Sequence, residues 1–249
     1  MYIHPDSTEH NFVSQFPEIF EKYEPIKFQF KKPDRFNDFL HSSSFLFGSR
    51  SNQDIGMIFS AVQRSYQTDY VNFESYIKDK NTRPKLLRIW RDSALHKKLD
   101  KIIDEYYEKF GMSRTIQSFY IDFLESSDRV LLNSRIFLPP KLVKGNPQDD
   151  DDQIQIRSRL NLLLDFRNGF VHAATYTPFS DGSRLVPHQK GSQTWLMKLS
   201  FDEFYEMTRK ALAKFWLQEY ENYLKSGGSA EIEKRVKQLL SELEELNKK

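Results

Sequence analysis

The chain has 249 residues, 39% of them hydrophobic and 14% aromatic, enough for one substantial core plus a small appendage and too apolar for wholesale disorder. A net charge of +2 and a pI near 8.5 mean that any nucleic-acid surface must be a local patch rather than an overall field. With no cysteine, disulfides, thiolate catalysis and cysteine-based zinc sites are excluded.

No apolar run approaches bilayer-spanning length, and "MYIHPDSTEHNF" lacks the basic and apolar regions of a signal peptide, so a soluble cytoplasmic protein is expected. Residues 1–50 read as an irregular region: "NFVSQFPEIFEKY" predicts a short helix, "PIKFQF" alternates like a strand, and the serine-rich "HSSSFLFGSR" reads as a loop. A helical domain is expected over 51–225. Val62, Tyr66, Tyr70, Phe73 and Ile77 recur at helical spacing. "TRPKLLRIWRDSALHKKLDKIIDEYYEKFG" follows as one long helix between Pro84 and Gly111, with Leu87, Trp90, Leu99, Ile102 and Tyr106 on its apolar stripe. "SRTIQSFYIDFLES" makes a third helix, continued by "DRVLLNSRIF" as far as Pro139 and Pro140.

The acidic run Asp149–Asp152 lacks the alternating oxygen ligands and bend glycine of a calcium loop and reads as charge ahead of a helix N-terminus. That helix extends from about 152 to the low 170s. After the polar stretch "TPFSDGSRLVPHQKGSQ", Ser200 and Glu203 predict a capping box that starts a fifth helix. Every Phe, Tyr and Trp lies before Ser226. "SGGS" at 226–229 predicts a flexible linker, and Ile232, Val236, Leu239, Leu243 and Leu246 in 230–249 form a heptad seam. Two readings of that last helix stand: a native oligomerising element, or an appended segment outside the fold. The expected core includes Val62, Tyr66, Trp90, Leu99, Phe119, Phe123, Leu160 and Leu163.

Three Arg–His pairs have four to six intervening residues: Arg35–His41, Arg91–His96 and Arg167–His172. With this many arginines and six histidines, about one such match arises by chance, so context must discriminate. Arg35 and His41 fall in the N-terminal region, with Phe36 and Phe39 serving the core and His41 in a loop. Arg91 and His96 fall mid-helix, where residues five apart diverge by about 140° and read as solvated. Arg167 and His172, in "RNGFVH", come where the most apolar helix is ending. Asn168 adds a hydrogen-bonding group, Gly169 permits a bend or close approach, and Asp165 is a candidate partner for the arginine.

"RNGFVH" after a hydrophobic helix resembles the ribonuclease motif of the HEPN superfamily, in which Arg is followed by a polar residue and then by His after four to six residues. "RDSALH" satisfies the same formula, but the family places its motif near the end of the helical domain. The resemblance covers residues 53–225. It implies an all-α, mainly helical bundle, a homodimer with both motifs facing one cleft, and a toxin or antiphage effector that answers to an antitoxin or regulatory partner. The expected activity is metal-independent endoribonucleolytic cleavage through the ribose 2′-OH, without metal or cofactor. Catalysis is expected from Arg167, Asn168 and His172, and RNA contacts from Arg159, Arg184 and Lys190. His moves protons near neutral pH, while Arg stabilises charge building on the phosphate. The alternatives are a non-catalytic module binding nucleotide, RNA or protein, and an interaction protein built on the terminal helix.

Overall fold

The computed structural model describes residues 14–23, 28, 33–66, 73–92, 95–143, 150–173 and 179–246; at 33–34, 51–52, 74, 92, 95–97, 108–110, 168–173 and 239–246 only the backbone is described. The protein is mainly helical, with one small sheet. After the short α1 (Pro17–Phe20), α2 (Pro33–Asn52) and α3 (Ile55–Tyr66) form a tight helical hairpin. Gln53 at the turn has φ 50, and the Asp54 carboxylate caps α3 by accepting from the Gly56 amide at 2.7 Å.

The long α2 corrects two expectations, the loop at "HSSSFLFGSR" and the irregular region extending to residue 50. Its serines are helix-packing residues. Ser43 and Ser44 return their hydroxyls to the Phe39 and Leu40 carbonyls of the same helix. Ser42 donates to the Ala61 carbonyl of α3 and accepts from Ser65 at 2.7 Å. Small hydroxyl side chains let the two helices approach closely while leaving no donor unmet. The boundary at 50/51 is not a core boundary either, because Phe16, Ile19, Phe28, Phe39 and Leu46 belong to the same buried cluster as Ile58 and Val62. The expected strand "PIKFQF" lies outside the described residues apart from Phe28.

The second correction concerns the helix expected between Pro84 and Gly111. It is two helices, α5 (Arg83–Asp92) and α6 (Leu95–Phe110), packed on each other and preceded by α4 (Phe73–Lys78). Folded back in this way, Leu86, Ile102, Tyr106 and Tyr76 form a second, smaller buried cluster. Trp90 and Leu99, expected in the main core, are left 47% and 57% exposed.

The main core is built by α3, α7 (Met112–Phe123), α9 (Asp151–Ala173) and α10 (Phe201–Tyr223). Val62, Phe119, Phe123, Leu160 and Leu163 are buried there, with Tyr66 packed at the margin. The Tyr120 and Thr208 hydroxyls meet at 2.6 Å between α7 and α10, and burial pushes the Tyr120 phenol far up. Arg35 straps α2 to α10: its guanidinium pairs with Asp38 and Glu219, donates to the Ser65 carbonyl and lies 5.0 Å from the Trp216 ring. The capping box of α10 forms as expected, with the Ser200 hydroxyl accepting from the Glu203 amide and the Glu203 carboxylate accepting from the Ser200 amide.

After α8 (Ser126–Arg135), β1 (Ile136–Phe137) pairs antiparallel with β3 (Gln193–Met197), which pairs antiparallel with β2 (Val186–Lys190). Gly191 and Ser192 close the β2–β3 hairpin, with φ +59 at Gly191, the backbone that glycine supplies at the first position of a two-residue turn.

The expected flexible linker at 226–229 is an ordered bend. Leu224–Gly228 forms a wide helical turn with Gly227 at φ 97, leading into α11 (Ser229–Leu246). A Cβ on Gly228 would stand 2.5 Å from the Tyr223 ring, so this close approach requires glycine. The first seam residue, Ile232, is buried in the main cluster, and Val236 packs against it.

Candidate functional site

Helix α9 begins with the acidic run in the role expected of it. The Asp150 carboxylate accepts from the Gln153 amide at 2.7 Å, and Asp152 pairs with Arg129 at 2.7 Å. Ile156, Leu160, Leu163 and Leu164 bury the helix through its middle. Its backbone stays helical to Ala173, so Arg167, Asn168 and His172 occupy the last two turns of one continuous helix.

Arg167 is half-buried against the start of α3. A Cβ placed on Gly56 would stand 3.7 Å from the Arg167 Cγ and 3.0 Å from the Asp54 Oδ1, so arginine stem, capping carboxylate and helix N-terminus converge on one spot. A Cβ at Gly56 would be in ordinary contact with the arginine stem and would crowd only the Asp54 carboxylate. The side chains of Asn168 and His172 lie outside the described residues. On a continuous helix, residues five apart are turned about 140° from each other and about 7.5 Å along the axis. The divergence expected of Arg91 and His96 therefore applies to Arg167 and His172. Arg91 and His96 instead stand on two different helices, α5 and α6, so the mid-helix reading of that pair is corrected. Arg35 and His41 both lie in α2, not with His41 in a loop, and Arg35 is occupied by the strap to α10.

The expected RNA-contacting cations separate. Arg159 is a structural residue, only 7% exposed. Its guanidinium donates to the Ile136, Asn133 and Gln155 carbonyls and to the Gln155 side chain. Burial pushes its pKa down to about 10. It ties α9 to the end of α8 and to β1, so its assignment as a surface contact is corrected. Arg184 is exposed on the loop before β2, where its backbone N–H and the Ser183 hydroxyl both donate to the Asp181 carboxylate. Lys190 is also exposed and pairs with Asp165 at 2.6 Å, so the carboxylate expected for Arg167 serves the β2–β3 hairpin.

The hairpin carries a residue not singled out from the sequence. His188 is 6% exposed and stacks with Trp195 and Phe166, ring centroids 4.6 and 4.9 Å away. Its Nε2 is buried without a hydrogen-bond partner, and burial lowers its pKa. The available signal was the alternation of "VPHQK" and "QTWLM" about Gly-Ser, which sets His188 opposite Trp195 on one face. Asp54 and Gly56 were also missed, although "DIG" is a plain helix-start signal.

Among the described residues no group of three His, Cys, Asp or Glu side chains is placed to hold a metal ion, and no helix is long and apolar enough to cross a membrane. No family model matches the chain, and comparisons with curated proteins and with solved structures return no match.

Proposed function

We propose that the protein is a metal-independent endoribonuclease of the HEPN type, working as a homodimer in a toxin or antiphage role, with Arg167, Asn168 and His172 as its reacting set. The observation that carries the reading is the convergence at Gly56. The Arg167 stem reaches the N-terminal end of α3, where the helix dipole adds positive potential to that of the guanidinium. Such a locus suits a phosphate whose charge grows during in-line attack. In the proposed reaction the ribose 2′-oxygen gives up its proton to one histidine and bonds to phosphorus. The bond to the 5′-oxygen breaks, and that oxygen takes a proton from a second histidine, leaving a cyclic phosphate and a free 5′-hydroxyl.

The helical geometry makes the dimer a requirement of this reading. Arg167 and His172 of one chain are turned about 140° apart, so a single phosphate meets both groups only if two chains contribute. Mixed RNA incubated with the protein in EDTA is expected to be cut, and Arg167→Ala and His172→Ala are each expected to be inactive. Subunit exchange between the two variants should not restore activity, because the mixed dimer carries one His172 and the proposed reaction uses two. No cleavage by the parent protein would sink the proposal.

A second reading, a non-catalytic module for RNA, nucleotide or protein, is favoured by Asp54. Its carboxylate shares the spot at Gly56 with Arg167 and opposes the anion-attracting potential there.

A further inference from the structure

Helix α5 is held to the protein by Leu86, which is buried, and Ile89, which is half-buried. The opposite face is exposed. Measured from Leu87, the residues Arg83, Pro84, Trp90 and Arg91 all fall within about 60° around the helix axis, and every one of them is exposed. From Arg83 to Arg91 the sequence "RPKLLRIWR" contains no carboxylate. Lys85 points elsewhere, paired with Glu105 across the α5–α6 hairpin. Lys98 of α6 adds a further cation, its Nζ 4.8 Å from the centre of the Trp90 ring.

Among the described residues, the indole of Trp90 is left 47% in water and is not a member of the small buried cluster beneath α5. We propose that this face is a docking surface for single-stranded RNA, a base stacking on Trp90 while Arg83 and Arg91 take the flanking phosphates. The identity of the ligand rests on the ribonuclease reading above, but the surface lies on α5, packed against α6 and α4, and does not include the α9 motif. Charge complementarity selects an anionic partner. Membrane insertion scales with buried apolar area, and one short helix offering Leu87 and Trp90 supplies little of it. An exposed indole flanked by guanidinium groups matches the pairing of base stacking with phosphate contact.

The test uses the full chain carrying His172→Ala, in EDTA, with a fluorescently labelled oligouridylate read by anisotropy. Trp90→Ala is expected to weaken binding about tenfold, and Trp90→Phe to retain most of it. The double variant Arg83→Glu, Arg91→Glu should weaken binding further and reduce the salt slope by about 1.4, the value for two single-strand phosphate contacts. Acrylamide quenching reads Trp90 almost alone, because Trp195 and Trp216 are buried, and bound RNA should shield it. Circular dichroism of the variants should match the parent. Absence of RNA cleavage would leave these affinities unaffected and count only against the catalytic reading. The docking proposal is overturned if the parent binds no oligouridylate, if all variants bind it equally, or if the variants lose affinity only for phosphatidylserine vesicles.

Discussion

The Arg91–His96 and Arg167–His172 pairs share a spacing and differ in what stands beneath them. Arg167 and His172 end a 23-residue helix whose middle is packed in the main core, and the arginine stem lies against a second core helix, α3. Arg91 and His96 stand on either side of a break, on a hairpin backed by four buried side chains. Helical phase alone would favour the second pair, since two helices can aim side chains at one point. Rigidity favours the first, because a catalytic constellation must be held to a fraction of an ångström by the packing behind it. The comparison teaches that a spacing motif is judged by its supporting shell and not by its residues.

The sharpest way to break this comparison is to exchange the roles of the two pairs. Arg167→Ala and His172→Ala are each expected to lower RNA cleavage by about 10²–10⁴-fold with thermal stability nearly unchanged. His96→Ala and Arg91→Ala should leave the chemical step intact, as read from kcat at saturating RNA. If His96→Ala silences cleavage and His172→Ala does not, the hairpin pair is the true motif.

Next in size is the difference between the supporting cores. Leu163→Ala, at a fully buried position of α9, should cost about 2–5 kcal/mol in denaturant unfolding. Leu99→Ala, on the exposed side of α6, should stay within about 0.5 kcal/mol. Equal losses would mean that the hairpin is covered in solution. Arg159→Ala is expected to destabilise by about 2 kcal/mol, through carbonyls at Ile136 and Asn133 left without their donor. RNA affinity measured well below the melting temperature should not change. A loss of affinity with stability intact would return Arg159 to the RNA-contacting set.

The smallest expected effect is a pH dependence. Burial holds the His188 pKa below its ordinary value, so the folded protein resists a proton that the unfolded chain accepts. Stability from this source is fully present above the unfolded pKa near 6.5. It falls as pH drops from there toward the depressed folded value, and below that it levels off. His188→Phe, which keeps a ring between Phe166 and Trp195, should flatten this acid limb in melting temperatures recorded from pH 7.5 to 5. An unchanged limb would show that another group titrates.

What could be read from the sequence tracked how local the determinant is. The main-core helices α7, α9 and α10 follow from apolar periodicity and, for α10, from a capping box complete within four residues. The α5–α6 break was hidden because "SAL" carries the apolar period across it, and only the packing of Leu86 against Ile102 and Tyr106 reveals the fold-back. The serines of α2 mimic a loop because their helix-packing role depends on α3, nineteen residues or more away. At the candidate site, the end of an apolar helix located Arg167. Nothing near "RNGFVH" announced Asp54 and Gly56, whose approach is a long-range contact, and Arg159 looked like a free cation because its acceptors come from α8 and β1.

The bend at Gly227 and Gly228 bears on how anything gripped by α11 is presented. A glycine-serine tether would let a partner sweep a broad volume, and its effective concentration at the core would depend on tether length. Here the Tyr223 ring against Gly228 and the buried Ile232 make the joint an elbow locked at one angle. A second copy meeting the part of the seam beyond Val236 would consequently be aimed, with its orientation decided at two glycines and one tyrosine, and Gly228→Ala would change where it points more than how tightly it is held.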